Sequence, residues 1–136
     1  KRDNLTFICG NVQTVSLPQK ADIVESLHAC DTATDAVIKR GIQSGASAIL
    51  AVPCCHKEVS KTIASSELDF MLGYGLLKER FAALVTDALR ARFLENNGYK
   101  TDVLEFVNFE NSPKNIMIRA FKTNQTIAYD LTKIAA

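Results

Sequence analysis

Two short runs that read as buried strands, Ile23 to Leu27 and Ala46 to Val52, flank a stretch whose apolar residues recur at helical spacing. Within that stretch, Thr32 to Ser44, the residues Val37, Ile38 and Ile42 form one stripe, and Gly45 stands where a left-handed C-terminal cap belongs. Asp31 and Thr32 are suited to capping its start, and Thr32 with Asp35 resembles a capping box with Asp in the Glu position. A strand, a helix of this length and a second, continuously apolar strand predict a right-handed crossover between parallel neighbours.

On the N-terminal side, Leu5 to Cys9 predicts an earlier strand ended by the Gly10-Asn11 turn, and Pro18 opens the approach to the next. Residues 57–75 keep no single period, and we expect a loop with a short helix around Val59 to Ala64. Leu76 to Asn97 predicts a long helix with Leu77, Phe81, Leu84, Val85, Ala88 and Leu89 on its apolar face and Arg80, Asp87, Arg90 and Glu95 elsewhere. Gly98 stops it. The alternating segments Lys100 to Phe109 and Asn115 to Lys122, joined by the polar turn Glu110 to Lys114, predict an antiparallel hairpin. The fold class is therefore α/β, with residues 1–122 as one domain and 123–136 as a tail without an assigned element.

Composition narrows the function classes only slightly. Sixteen basic against fifteen acidic residues leave a formal charge of +1, which excludes a global pull toward nucleic acid or a membrane surface and leaves a local basic patch open. No apolar stretch is long enough to cross a bilayer, and Lys1-Arg-Asp-Asn-Leu5 lacks the apolar core of a signal peptide, so a cytoplasmic protein is expected. Four cysteines without framework spacing, two of them adjacent, suit reduced thiols better than structural disulfides.

The chemistry-bearing residues are concentrated. His28-Ala-Cys-Asp-Thr-Ala-Thr-Asp35 follows the first apolar run and Pro53-Cys-Cys-His56 the second, and together they hold both histidines and three of the four cysteines. Ligands of open α/β sheets bind outside the carboxyl ends of the parallel strands, so two adjacent strands ending this way would face one crevice. These paired motifs, with Leu77-Lys-Glu-Arg-Phe81 and Pro113-Lys-Asn115, resemble the C-terminal half of class I S-adenosylmethionine-dependent methyltransferases. They are most similar to a methyltransferase domain family of bacteria and eukaryotes, and a eukaryotic tRNA 2′-O-methyltransferase family carries similar elements.

The resemblance implies an incomplete Rossmann-like fold, methyl transfer from S-adenosylmethionine and an RNA acceptor such as tRNA or rRNA. It implies a catalytic group drawn from His28, Cys30, Asp31, Cys54, Cys55 and His56, and cofactor contacts at Gly10, Asn11, Val12, Leu27 and His28. The family's Gly-rich turn and its acidic residue after the second strand are not among these 136 residues, and the six glycines form no strand-linked G-x-G-x-x-G. Leu5 to Cys9 corresponds to the family's third strand, so the chain reads as the substrate-side fragment. In the family's sheet the third and fourth strands are separated by the first two. Filling that gap calls for residues 1–15 pairing elsewhere, a second chain, or a rearranged, self-associating edge.

Within the cluster, His28 suits a general base, because imidazole is the side chain that titrates nearest neutral pH. A structural histidine, a turn-forming Asn11 and a helix-capping Asp31 are the plainer readings. Cys54 with Cys30 could imitate the thiol pair of enzymes that methylate C5 of cytosine, although the flanking residues do not match that class. Zinc would find enough soft ligands, but there is no C-x-x-C, adjacent Cys54 and Cys55 should point different ways, and two strand ends would have to converge closely. Lys57, Lys61, Lys78, Arg80, Arg90, Arg92 and Lys114 could border an RNA-binding crevice, with Phe70, Tyr74 and Phe109 stacking bases. A non-catalytic binding module and a metal or redox site are the alternatives to the enzyme.

Overall fold

A computed structural model describes residues 3–17, 20–108, 110–111 and 114–123. Its elements follow in the order β1 (Ile23–Leu27), α1 (Thr32–Gln43), β2 (Ala48–Val52), α2 (Lys57–Thr62), α3 (Asp69–Leu72), α4 (Gly75–Asn96), β3 (Tyr99–Glu105) and β4 (Ile116–Lys122). The crossover β1-α1-β2 is formed as expected, with β1 and β2 parallel from Ile23 opposite Ala48 to Leu27 opposite Val52.

Helix α1 ends as its sequence predicts. Gly45 takes φ +68°, its N–H donates to the Ile42 carbonyl, and the Ala46 N–H donates to the Gly41 carbonyl, which is the paired arrangement of a Schellman cap. Gly41 is required for a different reason: a Cβ there would lie 2.7 Å from Cδ1 of the buried Ile49, so its absence lets α1 lie close on β2. The helix start departs from expectation. The Asp31 side chain makes no capping bond to α1, because it is spent on α2 instead.

The strands form one mixed sheet in the order β1-β2-β4-β3, consistent with a partial Rossmann-like fold. Strand β4 runs antiparallel to both β2 and β3, so the predicted hairpin is present and its second strand is inserted next to the parallel pair. One face of the sheet carries the core: Ile49, Ala51, Ile118, Ala120 and Tyr99 pack with Ile38, Ala46 and Leu94. The Tyr99 hydroxyl is anchored within it, donating to the Ala46 carbonyl at 2.8 Å, and burial pushes the phenol's pKa up. On the alternate face, Ile23 and Leu27 of β1 stay 64% and 59% exposed.

Three expectations are corrected. Leu5 to Cys9 lies outside any strand, and its large side chains, Leu5, Phe7 and Ile8, are exposed rather than buried in a sheet. Strand β1 thus has β2 as its only strand partner among the described residues, which leaves its outer edge open. On α4, Leu77, Leu84, Ala88 and Leu89 face out, whereas Ala82, Thr86, Asp87, Arg90 and Leu94 face in. The expected apolar stripe is therefore not the buried face, which turns instead to bring the polar pair Asp87 and Arg90 to buried partners. Finally, α3 forms within what read as loop, and the tail expectation for 124–136 lies outside the described residues.

Candidate functional site

The loops after β1 and β2 emerge side by side at the carboxyl ends of the two parallel strands, and hydrogen bonds lock them to each other. The His28 N–H donates to the Val52 carbonyl at 2.9 Å, continuing the ladder one step past the strands. Three residues on, the Asp31 carboxylate accepts the N–H groups of Lys57 and Glu58 at 3.1 and 3.2 Å, satisfying donors of the first turn of α2. His28 and Asp31 both hold positive φ, 55° and 49°, a conformation that non-glycine residues keep only when their surroundings enforce it.

Between these two cross-links lie the thiols. The Sγ atoms of Cys30, Cys54 and Cys55 form a triangle with edges of 3.6, 3.6 and 3.7 Å. Cys54 Sγ also approaches the His28 carbonyl at 3.6 Å. Partial burial, followed by the two neighbouring thiols, pushes the Cys54 pKa up to about 12. Such a group stays protonated at neutral pH, the opposite of what a nucleophilic cysteine requires. The fourth cysteine, Cys9, is exposed and stands outside this triangle.

The two histidines have separate fates. His56 is nearly buried, with a side chain 7% exposed, and its Nε2 lies 2.9 Å from Oδ1 of Asp87. The same oxygen accepts from Arg90 at 3.2 Å, while Arg90 also donates to Asp35 at 2.7 Å and to the Asp31 carbonyl at 2.8 Å. Arg90 is 4% exposed and therefore cannot serve the phosphate-binding face expected for it. His28 is exposed, and its ring makes no hydrogen bond to a described residue. Asp87 was missed as a site residue. Its i, i+3 spacing to Arg90 is the one sequence signal, and on a helix that pattern ordinarily reads as a solvated ion pair.

The residues expected to touch a cofactor are not gathered by the described contacts. Asn11 forms a turn, its Oδ1 accepting from the Gln13 N–H at 2.8 Å and its carbonyl from Thr14 and Val15. Arg40 holds that turn by donating to the carbonyls of Gln13 and Val15, both at 2.9 Å. Arg40 is eight residues along α1 from Thr32, so this anchor lies about 12 Å from the helix start beside the thiols. Gly10 precedes the turn and Val12 lies within it, while Leu27 and His28 stand at the strand end. A groove of about 630 Å³, lined by Gln13, Thr32, Lys39 and Gln43 among others, runs along α1 outside the thiol triangle.

Residues 2–62 match a family described as a methyltransferase domain. The matched span ends with α2 and contains both strand-end loops, the thiol triangle and both histidines, which supports a methyltransferase domain and, with it, methyl transfer in general. No curated protein and no solved structure matches the chain. No helix among the described residues is long and apolar enough to cross a membrane.

Proposed function

We propose that this chain is the acceptor side of an S-adenosylmethionine-dependent methyltransferase acting on RNA, with His28 as the base that takes the acceptor's proton. The observation that carries the reading is the position of His28. It sits within the methyltransferase match, at the carboxyl end of β1, with its side chain exposed and its ring without a hydrogen-bond partner among the described residues. A ring nitrogen free in this way can accept a proton from a substrate hydroxyl, whereas the His56 ring is committed to Asp87. Cys54 is a poor candidate for covalent attack, because its pKa is raised.

The described residues do not by themselves make a cradle for the cofactor, since the Asn11 Oδ1 is engaged in its own turn and no Gly-rich loop follows a strand. The proposal therefore assigns the cradle to a further segment or chain that pairs with the open edge of β1, where Ile23 and Leu27 would be covered. Exposed Phe70 and Tyr74 offer rings for base stacking; Phe109 lies outside the described residues.

The test is calorimetric titration of S-adenosylmethionine and S-adenosylhomocysteine into this chain, alone and together with the polypeptide encoded upstream, followed by labelled methyl transfer to RNA. Binding that appears with the added segment, and transfer abolished by His28→Ala, are expected. Absence of binding in both preparations would remove the cofactor reading.

A further inference from the structure

The three strand-end thiols have a geometry that their sequence spacing hides. We propose that Cys30, Cys54 and Cys55 form a site for a soft d¹⁰ cation, zinc in the first instance, bound through three sulfurs with the fourth position open to solvent.

The distances carry the argument. A zinc ion about 2.3 Å from each of its sulfur ligands in a tetrahedral site holds those sulfurs about 3.8 Å apart. The triangle of 3.6, 3.6 and 3.7 Å is already close to that separation, and all three ligand atoms fall within 4.8 Å of one another. Adjacent Cys54 and Cys55 thus turn their sulfurs to the same point, and the two loops do converge. Both features were expected to be lacking when only the spacing was considered.

The triangle is also held independently of any metal. Cys30 lies between His28 and Asp31, and Cys54 and Cys55 lie between Val52 and Lys57. The His28–Val52 bond closes one side of the cluster, and the Asp31 bonds to Lys57 and Glu58 close the other. A site whose ligands are positioned by such surrounding bonds loses little conformational freedom on binding. Cys30 is exposed and the other two are half-buried, so an ion has an entry path. On binding, each thiol releases its proton to solvent and the ion joins the β1 and β2 loops directly. Thiolate ligands select zinc or copper(I) over magnesium and calcium, and a pyramidal three-sulfur base leaves an apex that a tetrahedral ion fills with water.

The experiment uses the whole chain, purified under a phosphine reductant and stripped with chelator. Zinc is titrated against a chromophoric competitor, and cobalt(II) is added in parallel as a spectroscopic stand-in. The expected result is one equivalent of zinc per chain and a sulfur-to-cobalt charge-transfer band. Cys30→Ser, Cys54→Ser and Cys55→Ser should each lose at least tenfold in affinity with unchanged far-ultraviolet circular dichroism. Cys9→Ser should bind like the parent. Zinc binding no tighter than that of the triple serine variant would overturn the site, as would binding retained through all three single substitutions or lost in Cys9→Ser. Because no cofactor enters these measurements, failure of the methyltransferase reading would leave their outcome unaffected.

Discussion

The two halves of the strand-end cluster each hold one histidine and do opposite things with it. On one side, His56, Asp87, Arg90 and Asp35 form a chain of hydrogen bonds and ion pairs, three of whose four side chains are almost wholly removed from water. On the other, His28, Cys30, Cys54 and Cys55 keep exposure, and the His28 ring has no described partner. Asp31 belongs to both: its carbonyl receives Arg90 and its carboxylate receives α2. The difference teaches that a motif rich in His, Cys and Asp need not be one reactive site. Here its buried members fix the loops and leave its exposed members facing solvent at the strand ends.

The comparison breaks most visibly at Arg90. Arg90→Ala removes the cation that faces Asp87 and leaves a carboxylate 10% exposed with His56 as its remaining side-chain partner. We expect a loss of about 3–5 kcal/mol, read from urea unfolding, because an uncompensated buried charge costs far more than a surface pair contributes. Asp31→Ala should cost about 0.5–2 kcal/mol, the usual range for losing a carboxylate that caps a helix start. It should also speed alkylation of Cys54, since the thiol triangle loses one of its two closing cross-links. Asp35→Asn removes the exposed end of the network. With that carboxylate 53% exposed, the expected change is below about 1 kcal/mol.

A subtler sharpening comes from thiol reactivity in the reduced, metal-free chain at mildly alkaline pH. The Cys54 pKa is raised, so its thiolate fraction is smaller than that of an ordinary cysteine, and it should alkylate more slowly than exposed Cys9. Mass spectrometry of partially modified peptides reads the order, and equal rates would show that the triangle is not formed in solution.

Much of the fold was legible because it depends on local patterns. The period-3.6 stripe and Gly45 define α1, and the continuous apolar run defines β2. Leu5 to Cys9 has the composition of a strand but no described strand to pair with, and pairing is a property of the sheet rather than of the segment. On α4 the exposed face carries Leu77, Leu84 and Leu89, whereas Asp87 and Arg90 are buried by partners 31 to 59 residues away. No helical period encodes such partners. The candidate site shows the same limit. The two motifs name most of its residues but not Asp87 or Arg90, and the division into lock and rim follows from His56 meeting Asp87 and from three sulfurs converging across a gap of 24 residues.

The central claim is that the two histidines have different jobs, and the most direct measurement is the denaturant midpoint of His28→Ala beside that of His56→Ala. The account predicts that His56→Ala lowers stability by about 1–3 kcal/mol, because the buried Asp87 loses a hydrogen-bond partner. His28→Ala should cost less than about 1 kcal/mol, because the ring is exposed and only the positive φ that alanine must also adopt adds to the ordinary surface effect. Equal losses in the two variants, or a loss confined to His28→Ala, would contradict the division on which this reading of the molecule rests.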